Sequence, residues 1–200
     1  MSAIEPHTDV HVFFRDKLSA AMKRCDLYAR EATEFYLVQL LSDFVASTPQ
    51  DILSKPLAER LGRALTASGA EALRRFKQLG DLALFVSGFF ADHLDSRGVS
   101  RRYVSDLGGQ AYAAAGGLAF RSRGSAVARD PEVYAELSDR FDAFAGVLND
   151  VREDTTLRTP RDVLRLYERW RRTGSPLLAR RLRAEGVFPQ VANHEAGTLH

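Results

Sequence analysis

Between Leu82 and Ala91 the chain reads LALFVSGFFA, and nothing in that stretch is more polar than a serine. Apolar side chains at every angle around a helix require neighbours on every side, so such a segment belongs at the centre of a helical core. A bilayer span needs about 20 apolar residues, and this run is closed by Asp81 and Asp92 well short of that. A buried strand is the competing assignment. The flanking EALRRFKQL is helical in composition, and no second strand candidate exists to pair with the run. The expected fold is therefore all-α: a single compact bundle of about seven helices with a C-terminal basic helical hairpin.

The seven prolines divide the rest of the chain, and none lies between Leu57 and Asp130. Residues 1–9 read as a loose arm, 10–154 as the helical body, 155–188 as the basic hairpin and 189–200 as a frayed tail. A first helix is expected from Val12 to Arg24, with Phe14, Leu18, Ala21 and Met22 at helical spacing. A second covers about Arg30 to Ser47, its apolar face formed by Leu37, Val38, Leu41, Phe44 and Val45. A third opens at Pro56 and stripes Leu57, Leu61, Ala64 and Leu65.

From Gly69, Leu73, Phe76 and Leu79 lead into the apolar run, and Gly98 stops it. Gly80 either kinks this helix or ends one helix so that Asp81 caps the next. Ser100 caps a small-residue helix over 100–120, rich in Gly and Ala. Asp130 and Pro131 start a helix reaching about Arg152, where Tyr134, Leu137, Phe141, Phe144, Leu148 and Val151 alternate by three and four, a narrow seam for one partner. Thr159 with Pro160, and Ser175 with Pro176, repeat the same starting signal, and Gly174 and Gly186 supply the stops.

Charge is informative in its distribution rather than its total. The net charge is +2, too balanced to announce nucleic acid or a membrane surface. Residues 1–154 carry a net −3 and residues 155–200 a net +5. On the first arm of the hairpin Val163, Leu166, Tyr167 and Trp170 make an apolar stripe, and Arg161, Arg165, Arg169 and Arg172 make a second stripe fitted to an acidic protein partner or to phosphates. Cys25 is the one cysteine, which excludes an internal disulfide, fits a reducing cytosol and reads as a small residue filling a helix face. The start MSAIEPHTDV has no basic region followed by an apolar run, so neither a signal peptide nor a membrane anchor is expected.

The search for catalytic or metal chemistry gives little. His7 and His11 stand four apart in the arm with only Glu5 and Asp9 beside them, and His93 lies between Asp92 and Asp95 as a capping or solvated residue. No GxGxxG, Walker or GxSxG pattern occurs. In the small-residue helix two Gly pairs each cost about 0.8–1 kcal/mol per residue against Ala, so close approach by a neighbouring helix or a flat ligand is expected there. Gly108, Gly109 and Gly116 are the candidate cofactor contacts.

The string Arg102-Tyr103-Val104-Ser105-Asp106-Leu107-Gly108-Gly109-Gln110 resembles the distal-helix signature of heme oxygenases, an all-helical family of similar length whose glycines let the helix lie close over heme. The resemblance implies heme as cofactor and His11 or His7 as proximal ligand. It covers nine residues and needs a one-residue gap between Leu107 and Gly108. Such a gap turns everything after it by about 100°, so that the tyrosine and aspartate cannot face the same way as the glycines. The leading expectation is a non-catalytic cytoplasmic adaptor or regulator acting through protein contacts. A small-molecule or tetrapyrrole-binding bundle, with oxygenase activity as one form of it, is the alternative, and nucleic-acid binding through the tail is the third.

Overall fold

The computed structural model of the chain describes residues 6–46, 56–90, 94, 99–122, 131–154, 160–173, 176–184 and 187. Among them the fold is all-helical, a bundle of nine helices: α1 (Pro6–Arg24), α2 (Glu31–Ala46), α3 (Leu57–Leu65), α4 (Gly69–Phe89), α5 (Arg101–Arg121), α6 (Pro131–Asp139), α7 (Phe141–Glu153), α8 (Pro160–Thr173) and α9 (Pro176–Ala184). The main core cluster draws on α1, α2 and α4 to α9, and a smaller one of Leu79, Leu107 and Ala111 packs against Leu57, Leu61 and Phe76.

α4 is the central element, in contact with α2, α3, α5 and α7. Its C-terminal half is the apolar run. Leu82 to Val86 are all buried, as are Gly88 and Phe89, while Phe90 closes the helix by donating its N–H to the Val86 carbonyl. Phe85 is sandwiched. Phe44 of α2 stacks on it at 4.3 Å and Phe89 at 4.9 Å, with the Phe90 ring edge-on at 5.7 Å. Burying each such side chain contributes about 1.5–3 kcal/mol, so this half-helix alone is comparable to a typical domain's net stability before chain entropy is counted.

Gly80 neither kinks nor ends the helix. α4 runs through it, and the glycine admits the Tyr112 ring of α5, which stands 2.8 Å from where a Cβ would lie. Gly88 does the same for α7, since a Cβ there would meet the Leu148 Cβ at 2.5 Å. Gly69, at the start, has φ +55, a backbone state that glycine adopts without steric cost.

Three helices differ from the sequence expectation. α1 begins at Pro6, inside the stretch read as a loose arm, because Pro at a first helical position needs no hydrogen bond and Val10 already faces the core. Its far end closes with the αL-type cap usually made by glycine. Asp26 takes φ 50, Leu27 N donates to Met22 O and Asp26 N to Lys23 O, and Leu27 packs down with buried Met22. Cys25 therefore sits exposed in the cap, not on a packed helix face. On α3, Ala64 is buried but Leu65 is 67% exposed, so the stripe there is narrower than read.

The third difference is the helix expected from Pro131 to about Arg152, which is two helices and brings the count above seven. Arg140 leaves helical geometry at φ −123, ψ 29. All six seam residues are nevertheless buried. The turn changes their partner: α6 lies chiefly along α5, and α7 lies chiefly along α4. Arg140 holds the corner by donating to the Tyr28 carbonyl at 2.5 Å and to Glu136 at 3.2 Å, with its guanidinium over the Phe144 ring. Ala91, Asp92, His93, Gly98, Asp130, Thr159, Gly174, Ser175 and Gly186, with residues 1–5 and 188–200, lie outside the described residues.

Candidate binding cleft

Directly before the apolar run, α4 buries a carboxylate. Asp81 is 8% exposed, and Asp81 and Thr33 are the buried polar residues among those described. Its Oδ1 accepts hydrogen bonds from the Tyr36 hydroxyl of α2 and, at 2.9 Å, from the Tyr112 hydroxyl of α5. Its Oδ2 accepts from Lys77 Nζ at 2.7 Å, one turn back on α4. Of the two alternatives left open at Gly80, the one in which Asp81 caps a second helix is thus set aside. Asp81 sits in mid-helix with the polar groups of three helices gathered on it, which satisfies a charge that burial would otherwise make costly.

The tyrosines form a layer. Tyr36 meets Tyr134 of α6 edge-on at 5.9 Å and 88°, and Tyr134 stacks on Tyr112 at 6.3 Å. Lys77 Nζ lies 5.0 Å from the Tyr36 ring centroid, so the ammonium is held by a carboxylate and by an aromatic face. Burial, reinforced for Tyr36 by the Tyr112 and Asp81 charges and for Tyr112 by Asp81, pushes both phenols well above their ordinary range. Both therefore remain neutral donors at neutral pH.

Tyr36, Tyr134 and Lys77 line a cleft of about 550 Å³ between α2, α4 and α6, and through Tyr36 and Lys77 it adjoins the buried Asp81. Phe35, Tyr36, Leu40, Val133 and Tyr134 supply apolar walls, and Lys77, Glu31, Gln39 and Asp43 supply the polar groups. Phe35 is 69% exposed and forms the ridge between this cleft and a second one of about 640 Å³ bordered by His11, Val12 and Val38. The size and the apolar walls with a few polar groups are those of a small-molecule site. Nothing in the sequence marked this place, because Tyr36 and Tyr112 lie 45 and 31 residues from Asp81.

The candidates read from sequence fall elsewhere. A Cβ on Gly108 would lie 2.4 Å from the Phe141 ring and 2.8 Å from Ala83 Cβ, so that glycine serves the packing of α5 on α4 and α7. Gly109 faces the Ser138 carbonyl and has its own carbonyl bound by the Ser138 hydroxyl at 2.9 Å, and Gly116 faces Tyr134 and Pro131. Tyr103 is 46% exposed and Asp106 is exposed while Gly108 is buried, the opposed orientation that the one-residue gap in the heme-oxygenase string requires.

His11 Nδ1 is 3.4 Å from the Ser42 hydroxyl. The His7 side chain is outside the described residues, and no group of three or more potential metal ligands occurs among those described. Arg161, Arg165, Arg169 and Arg172 lie on α8, but their side chains are also outside the description. The underside of α8 is visible, with Val163, Tyr167 and Trp170 buried and the helix resting on α2. No described helix is long and apolar enough to cross a membrane. No family model matches the chain, and no curated protein or solved structure matches it.

Proposed function

We propose that the protein works by binding rather than by catalysis, and that the α2–α4–α6 cleft receives a small, largely apolar ligand with one polar end directed at Lys77 and Tyr36. The observation that carries this reading is the junction of a ligand-sized aromatic cleft with a buried, hydrogen-bonded charge network that adjoins it. A rigid wall suits binding, since groups already fixed by one another lose little freedom when a ligand arrives. A tetrapyrrole at the glycines would have to displace Phe141 from Gly108, so the small-molecule reading moves from those glycines to this cleft.

Filling the cleft tests the proposal. Ala32 is exposed and lines it, so Ala32→Trp should occupy the space without disturbing the core. In a thermal-shift screen of apolar amines, alcohols and carboxylates, at least one class should raise the melting temperature of the wild type and leave Ala32→Trp unmoved. If every compound acts alike on both proteins, the cleft is not the site.

A second reading rests on the charge asymmetry of the chain, net −3 before residue 155 and net +5 after it, together with an α8 whose apolar side is buried on α2. In it the chain is a cytoplasmic adaptor or regulator, and α8 and α9 form a basic hairpin offering Arg161, Arg165, Arg169 and Arg172 to an acidic protein partner. Reversing Arg165 and Arg169 to Glu should leave melting nearly unchanged, because exposed ion pairs contribute only about 0–1 kcal/mol, while abolishing salt-sensitive retention of the partner. Loss of the retained material on nuclease treatment would identify nucleic acid in its place.

A further inference from the structure

Another cavity, of about 760 Å³, lies between α4, the first turns of α5 and α7, on residues that the aromatic cleft does not use. We propose that it binds a neutral polyhydroxylated ligand, of the class of a small sugar or an open-chain polyol. Its volume falls within the roughly 300–1,000 Å³ of small-molecule sites. Its lining differs in kind from that of the aromatic cleft, with hydroxyls, an amide and charged groups set around Ala145 and Gly146.

The charged groups lining the cavity are three guanidiniums, Arg101, Arg102 and Arg152, and three carboxylates, Asp106, Asp142 and Glu153. Equal numbers leave neither an anion nor a cation favoured by net charge. Several of these groups are already engaged. Ser105 donates its hydroxyl proton to Asp142, Asn149 donates from Nδ2 to Glu153 at 3.0 Å, and Arg152 donates to the Phe89 carbonyl at 3.3 Å. What is left over is hydrogen-bonding capacity rather than charge. The Asn149 amide keeps its carbonyl oxygen as an acceptor and a second N–H as a donor, and the Ser105 oxygen keeps its lone pairs. A ligand hydroxyl both donates and accepts, so it matches either kind of group.

The observation that points to a ligand is Ser87 of α4. Its Oγ is shut off from solvent and has no hydrogen-bond partner among the described residues, although Ser87 itself lines the cavity. A buried hydroxyl left without a partner is costly, and native structures hold few of them. A single side-chain torsion moves that oxygen, and, since it is bonded to nothing, turning it toward an arriving hydroxyl breaks no hydrogen bond. On α7, Gly146 leaves the room such a ligand needs: a Cβ there would meet nothing within 4 Å beyond its own helix.

Ligand-observed NMR on the full-length chain, with glucose in one arm and sorbitol in the other, should show saturable binding of at least one, and the tighter arm distinguishes ring from open chain. Ser87→Ala should weaken that binding about tenfold, the effect of one hydrogen bond, without lowering the melting temperature, because the hydroxyl it removes is bonded to nothing in the free protein. Gly146→Leu places its side chain in open space on an exposed turn of α7, so it should fold and abolish binding. Ala32→Trp, which fills the aromatic cleft, should leave sugar or polyol binding intact, so that the two sites fail separately. Absence of saturable binding in both arms, equal binding by wild type and Gly146→Leu, or melting of Ser87→Ala well below wild type would overturn the proposal and leave the cavity to water alone.

Discussion

The two halves of α4 hold the bundle together by opposite means. From Leu82 to Phe89 the helix is apolar, and its neighbours are attached by area and dispersion, with three phenylalanine rings packed on Phe85. From Lys77 to Asp81 the helix gathers named donors on one carboxylate, and α2 and α5 are attached by direction. The first kind of contact tolerates any side chain of about the right volume; the second admits one register. Together they teach how one helix both drives collapse and selects the arrangement: area makes the helices associate, and Asp81 fixes how α2 and α5 are rotated about α4.

That comparison breaks most visibly at its apolar end. Phe89→Asp replaces a buried ring stacked on Phe85 with a carboxylate, a cost of several kcal/mol that rivals the ~5–15 kcal/mol stability of a whole domain. The expected outcome is loss of cooperative unfolding by circular dichroism, and melting within a few degrees of wild type would mean that the core has been misplaced.

At the polar end the expected loss is smaller but still large. Asp81→Ala leaves the Tyr112 hydroxyl buried without its acceptor and should cost about 3–5 kcal/mol by chemical denaturation. Adding Tyr36→Phe and Tyr112→Phe to it should recover part of that loss, since the orphaned donors go too. If the triple variant is no better than Asp81→Ala, the network does not act as a unit.

The smallest effect is the one most specific to direction. A phenol whose proton affinity is raised by folding contributes stability in full below the ordinary tyrosine range near pH 10, and this is lost as pH climbs from there towards its folded value, because the unfolded chain ionises first. The wild type should therefore weaken above about pH 10 more steeply than Tyr112→Phe, and ultraviolet titration should find at least two of the six tyrosines resisting ionisation until unfolding. Parallel alkaline profiles would place the two phenols in water.

Which parts could be read from the sequence follows from the same contrast. The apolar run, the helical class, the Ser100 cap on Tyr103 N and the buried seam from Tyr134 to Val151 are local patterns, and each stands where periodicity put it. Gly80 followed by Asp81 left a kink and a new helix start equally open, and only partners remote in sequence make Asp81 a mid-helix core residue. The break at Arg140 was hidden because the spacing of three and four continues unaltered across it. Gly88 passed unnoticed inside the apolar run, although the Leu148 Cβ tolerates nothing larger there.

The turn at Arg140 has a consequence for the order in which the bundle assembles. α6 pairs with α5, its predecessor in the chain, so that contact closes a short loop. α7 pairs with α4 and must reach back across all of α5 and α6 to do so. Loop closure makes the first contact fast and the second slow. A growing chain can therefore complete α4, α5 and α6 as a working platform before α7 exists, and α7 then docks as a latch whose arrival seals Gly88 and Gly108 together. One non-helical residue thus divides a single seam into an early event and a late one.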